Sequence, residues 1–101
     1  MYIYNVTIKV DWKIAENWVE WMKQIHIPNV METGFFTKYV MVQLLQTDET
    51  EGPTFAVQYF AESLIAYEKY INECAPQLKE QTIKKWGAQF IAFRSLMKVV
   101  S

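Results

Sequence analysis

From Tyr2 to Val10 the chain alternates. Tyr2, Tyr4, Val6, Ile8 and Val10 form one apolar row, and Ile3, Asn5, Thr7 and Lys9 form a more polar one. A period of two predicts a strand with one buried face. At Asp11 the period changes. Ile14, Trp18, Trp21, Met22 and Ile25 recur at helical spacing, with Lys13, Glu16, Glu20 and Lys23 on the other side. Asp11 is placed to cap this helix, its carboxylate accepting from an otherwise unpaired N–H of the first turn. Pro28 lacks an N–H and disfavours helical angles at Ile27, so a break is expected near His26. A short second helix, with Pro28 in its first turn, then runs to Gly34.

Phe35 to Thr47 reads as a long strand, apolar on both sides and therefore expected to be covered on both. The polar segment Asp48 to Pro53 turns the chain into a hairpin with a strand over Thr54 to Phe60. Ser63 is the expected cap of the next helix, whose stripe is Leu64, Tyr67, Ile71, Cys74 and Leu78. Pro76 interrupts this helix as Pro28 interrupts the first. Helix resumes to about Trp86, Gly87 closes it, and a last strand follows over Gln89 to Val99.

Both halves therefore run strand, amphipathic helix, proline, short helix, glycine, strand. That βαββαβ order predicts a single α+β domain over residues 1–101 with the ferredoxin-like fold. Right-handed crossovers give an antiparallel sheet of order 4-1-3-2 with the helices on one face.

Composition bears on what the other face meets. Of 101 residues, 51% are hydrophobic, including six Phe, four Trp and six Tyr. A domain this small buries only about two thirds of the surface its unfolded chain exposes. Such an aromatic surplus implies a second buried surface, and a homodimer through the open sheet face is expected. Ten basic and eleven acidic residues are interspersed, for a net charge of −1. No basic stripe exists to neutralise phosphates, so a nucleic-acid partner is not expected. No apolar run approaches a membrane span and no signal-peptide pattern precedes the first strand, so neither membrane nor export is expected. The single Cys74 excludes an intramolecular disulfide and fits a reducing cytoplasm. On the apolar stripe it reads as an inert buried thiol.

The blocks YNVTIKV, WVEWMKQIHIPNVMETGFF, FAVQYF and FIAFRSLMKV resemble a bacterial family known only as a domain of unknown function. That family is similar to the dimeric alpha-beta barrel superfamily, which includes antibiotic-biosynthesis-type monooxygenases and haem-degrading enzymes. The resemblance implies a ferredoxin-like protomer that pairs sheet to sheet. It implies no particular activity.

Two candidate sites follow. Asn5, Thr7, Gln58 and Arg94 come from three adjacent strands, and their alternation is expected to put them together on the face away from the helices. An arginine among amide and hydroxyl groups suits a small carboxylate or phosphate, or else pairs across a dimer interface. The second site is the space under the helices, lined by Tyr4, Trp18, Trp21, Tyr59 and His26. There His26 is the candidate general base, or else a residue suited to the dipole at a helix end. With one histidine, no metal site is expected.

The haem-degrading relatives combine a strand asparagine, a second-helix histidine and a tryptophan. Here Asn5 and Trp86 are present but the second helix carries no histidine, so no haem or other cofactor is expected. GPTFAVQYF has the look of a base-stacking strand of RNA-binding sheets. Ala56 stands where an aromatic is needed and the preceding loop is acidic, which excludes that function. The expectation is a binding or interaction module for a small anionic metabolite. The alternative is a cofactor-independent, monooxygenase-like enzyme acting on an aromatic small molecule.

Overall fold

The computed structural model describes all 101 residues. The elements are β1 (Tyr2–Val10), α1 (Ala15–Trp21), a π-helical turn (Met22–His26), α2 (Ile27–Glu32), β2 (Lys38–Gln43), β3 (Thr54–Ala61), α3 (Leu64–Glu73), α4 (Ala75–Trp86) and β4 (Phe90–Lys98). The strands form one antiparallel sheet of order β2-β3-β1-β4, the expected 4-1-3-2 read from the other edge. This is the ferredoxin-like fold, with the core between the sheet and the helices.

The apolar row of β1 faces the helices. Tyr4, Ile8 and Val10 are buried there with Trp18, Met22 and Ile27 of the first helical run and Tyr70, Ala75 and Leu78 of α3 and α4. Tyr4 sits at its centre, its ring 6.2 Å from Phe36, 6.2 Å from Tyr59 and 5.8 Å from Tyr70. Ser63 caps α3 by accepting from the Ala66 N–H at 3.1 Å, and Asp11 accepts from the Lys13 N–H at 2.8 Å. The α3–α4 run bends at Cys74, where Pro76 enters the first turn of α4, and Gly87 ends it at φ +62°.

The first helical run departs from expectation. Pro28 does not break it, because the turn before the proline widens to the π form. The Ile27 N–H donates to the Met22 carbonyl, five residues back. The wider turn spares the Gln24 carbonyl the clash that the proline ring causes in a regular helix. It also moves the stripe by one residue. Met22 and Ile27 are both buried, while Ile25, expected in the stripe, is 49% exposed.

The strand expected from Phe35 to Thr47 pairs only over Lys38–Gln43, and Phe36 folds into the core ahead of it. Its open-face residues Val40 and Val42 remain exposed, so this chain does not supply the second cover. The segment after β2 is more than a hairpin turn. It folds back over the end of β1, where the Trp12 Nε1–H donates to the Glu49 carbonyl at 2.7 Å and the Lys9 ammonium to the Asp48 carbonyl at 3.0 Å. No helix is long and apolar enough to cross a membrane.

Gly52 lies where this segment meets β1, and a Cβ there collides with the Val10 carbonyl. Backbone on both sides cannot yield as a side chain can. Gly52→Ala is expected to lower stability by about 1–3 kcal/mol, read as a fall in the urea midpoint. Gly34→Ala, with open space but φ +82°, is expected to cost only about 1 kcal/mol. Equal costs at the two positions speak against close packing of this segment on β1.

Candidate functional site

The β1–β4 register decides which residues share a face. Val6 stands opposite Arg94, and Asn5 stands opposite Ser95. Residues directly opposite in an antiparallel pair point the same way. Arg94 therefore lies on the helix side with Tyr4 and Val6. Asn5, Thr7 and Gln58 lie on the open face, where Asn5 opposes Gln58 and its amide donates to the Thr7 hydroxyl at 3.0 Å.

The four residues expected together are thus divided by the sheet. The physical reason is the composition of β4, which is apolar in both phases. Ile91, Phe93 and Met97 make the stronger phase and were expected inside, but they occupy the open face, Ile91 56% and Phe93 67% exposed.

On the helix side a cavity of about 250 Å³ opens between the sheet and the helices. Tyr4, Trp18, Tyr59 and His26 line it, as expected from the sequence, and so do Tyr70 and Arg94. Trp21 does not line it but stacks on His26 with ring centroids 5.0 Å apart, and meets Trp86 edge-on at 5.8 Å. Residues of α4 that the sequence reading passed over, Lys79 and Thr82, complete the wall. Their spacing with Ala75, Leu78, Ile83 and Trp86 is a regular helical stripe, a signal available in the sequence.

Arg94 is the site's principal charge. Its Nε–H donates to the Tyr4 hydroxyl at 3.1 Å, while the side chain remains more than a third exposed at the sheet edge. Burial pushes the Tyr4 hydroxyl above its ordinary range even though the guanidinium acts the other way. Burial does the same to Tyr59 and Tyr70. All three phenols are therefore neutral at physiological pH. The Tyr59 hydroxyl is buried without a hydrogen-bond partner.

The π turn carries His26 into the cavity wall, where desolvation, and secondly Arg94, push the imidazole down to about 4. It is a neutral donor and acceptor at pH 7. Lining residues include no carboxylate. The arrangement suits recognition of an apolar body with one anionic group.

Haem does not fit these residues. Asn5 lies across the sheet from the cavity and Trp86 packs against Trp21, so the two do not converge. The free thiol of Cys74 is partly buried between α3 and α4.

The fold has solved counterparts. A protein from Nitrosomonas europaea assigned as an antibiotic biosynthesis monooxygenase superposes with a TM-score of 0.69 over 100% of both chains, at 13% identity. SnoaB, a cofactor-independent oxygenase from Streptomyces nogalater, gives 0.71 at 6% identity, covering 99% of this chain and 94% of that one. A dimeric ferredoxin-like protein from an uncultured marine organism gives 0.69 at 13% identity, covering 99% and 95%. At these identities the likeness is one of fold. No curated protein matches the sequence. The chain itself belongs to the family described as Domain of unknown function (DUF4286), which matches residues 1–100.

The depressed imidazole has a consequence for stability. An unfolded histidine titrates near 6.5, whereas His26 in the fold titrates at about 4. Between these values the unfolded chain holds a proton that the folded chain does not, so stability falls as pH drops from about 6.5 to 4. His26 is expected to account for roughly 2–3 kcal/mol of that loss. Urea midpoints at pH 7 and 4.5 should diverge for the wild type and converge for His26→Phe. An unchanged slope in the variant assigns the acid sensitivity elsewhere.

Proposed function

We propose that this protein is a homodimeric small-molecule-binding protein of the cytoplasm. Two copies pack open sheet face to open sheet face, and each holds a small anionic metabolite in its helix-side cavity. The observation that carries the ligand half is Arg94, a cation oriented by Tyr4 at the edge of a mainly aromatic and aliphatic cavity. Charge-assisted hydrogen bonds from a guanidinium to a carboxylate or phosphate are among the strongest a protein makes.

The dimer half is supported by the open face and by the dimeric ferredoxin-like relative. That face has a polar centre of Asn5, Thr7, Gln58 and Ser95, flanked by exposed Val40 and Val42 on one side and Ile91, Phe93 and Met97 on the other. Apolar flanks seal against a partner, and the polar centre pairs within the seam. Asn5, Thr7 and Gln58 serve assembly in this reading, and Arg94 serves the ligand.

A second reading, a cofactor-independent monooxygenase acting on an aromatic molecule, is supported by the neutral His26 in the cavity wall. A base is most effective when its pKa lies near the working pH. An imidazole at about 4 is weak for removing a proton from carbon or phenol, so the binding reading is preferred.

Sedimentation at micromolar concentration should give a dimer for the wild type and a monomer for Phe93→Arg. A wild-type monomer removes the proposed cover of the sheet. In a thermal-shift screen of anionic metabolites, at least one should raise the wild-type midpoint, and Arg94→Ala should abolish that shift. Dioxygen uptake with an aromatic ligand bound would instead favour the second reading.

A further inference from the structure

Resting on the binding reading, we infer that the ligand is a flat carboxylate of one or two fused aromatic rings. Its carboxylate meets the Arg94 guanidinium at the cavity mouth, and its ring system enters the apolar interior.

Size sets the ring count. A cavity of roughly 150 Å³ admits benzene, and this one holds about 250 Å³. That is room for a substituted ring or two fused rings, and too little for a four-ring system. Lining chemistry sets the body of the ligand. Thirteen of seventeen lining residues are hydrophobic, which disfavours a sugar or polyol. Five of the lining residues, Tyr4, Trp18, Tyr59, Tyr70 and Phe90, are aromatic. Aromatic walls favour an aromatic body, which they meet edge to face or offset.

Charge sets the head group. Arg94 and Lys79 are the cations of the lining, no Asp or Glu opposes them, and His26 is uncharged at neutral pH. Of the five N–H donors of a guanidinium, the Nε–H of Arg94 is held by Tyr4. The two terminal nitrogens remain for a bidentate, planar acceptor, the geometry of a carboxylate.

The test uses the intact protein, titrated calorimetrically with a set of probes. The set is 2-naphthoate, the neutral 2-naphthalenemethanol, hexanoate and pyrene-1-carboxylate. 2-Naphthoate is expected to bind about tenfold or more tightly than the neutral, aliphatic and four-ring probes. Arg94→Met should erase its advantage over the neutral probe, and Arg94→Lys should restore only part of it.

Equal binding of naphthalenemethanol overturns the anionic head while leaving the cavity a binding site. Equal binding of hexanoate overturns the aromatic body, and equal binding of pyrene-1-carboxylate overturns the size limit. If no probe binds, charged or neutral, the binding reading itself fails.

Discussion

β1 is hydrogen-bonded along both edges, and its pairing of Val6 with Val57 on one side and Arg94 on the other sets the face of every sheet side chain. Helices cover the Tyr4, Val6 and Ile8 row, so whatever aligns with that row is inside. A shift of one residue in either pairing exchanges the two faces of a strand. Arg94 would then join Asn5 on the open face, and Phe93 would enter the core. Both the cavity with its single strand-borne cation and the apolar open face with its polar centre follow from one register.

The π turn is the second constraint, and it acts through Pro28. A regular helix from Ala15 to Glu32 brings the proline ring against the Gln24 carbonyl. Widening one turn avoids this and keeps the chain helical, while rotating everything after it. Met22 and Ile27 become consecutive core residues, Ile25 turns to solvent and His26 turns to the cavity. Stacking of Trp21 on the imidazole, and the edge-on contact of Trp86 with Trp21, hold the rotated turn against α4. A backbone irregularity needed to accept a proline thus also delivers the only histidine to the site.

The electrostatics of the cavity follow from the burial of its titrating groups. Burial keeps three phenols and one imidazole neutral, leaving Arg94 as the charge that a ligand meets from the sheet. Lying at the edge, Arg94 keeps its solvation and avoids the cost of a buried, unpaired cation. The same placement gives its terminal nitrogens access to an incoming anion.

Period and residue chemistry were enough to read the order of the elements, the cap at Ser63 and the closing glycines. The cap expected from Asp11 is not made: its carboxylate accepts from the Lys13 N–H ahead of α1, whose N-terminus at Ile14 has no side-chain cap. Two βαβ units with right-handed crossovers leave one sheet order, so the topology was legible too. Part of the site was also legible, since Tyr4, Trp18, Tyr59 and His26 line the cavity as their spacing implied. Arg94 was not. Its strand is apolar in both phases, and alternation tells only which residues share a face, never which face is covered. Only the hydrogen-bonded register with β1 decided that. The displacement of Ile25 was equally hidden, because a π turn leaves no periodic signature and arises from proline sterics meeting tertiary packing. Local chemistry in the sequence thus determined what each segment becomes, and long-range pairing in the fold determined which side chains meet.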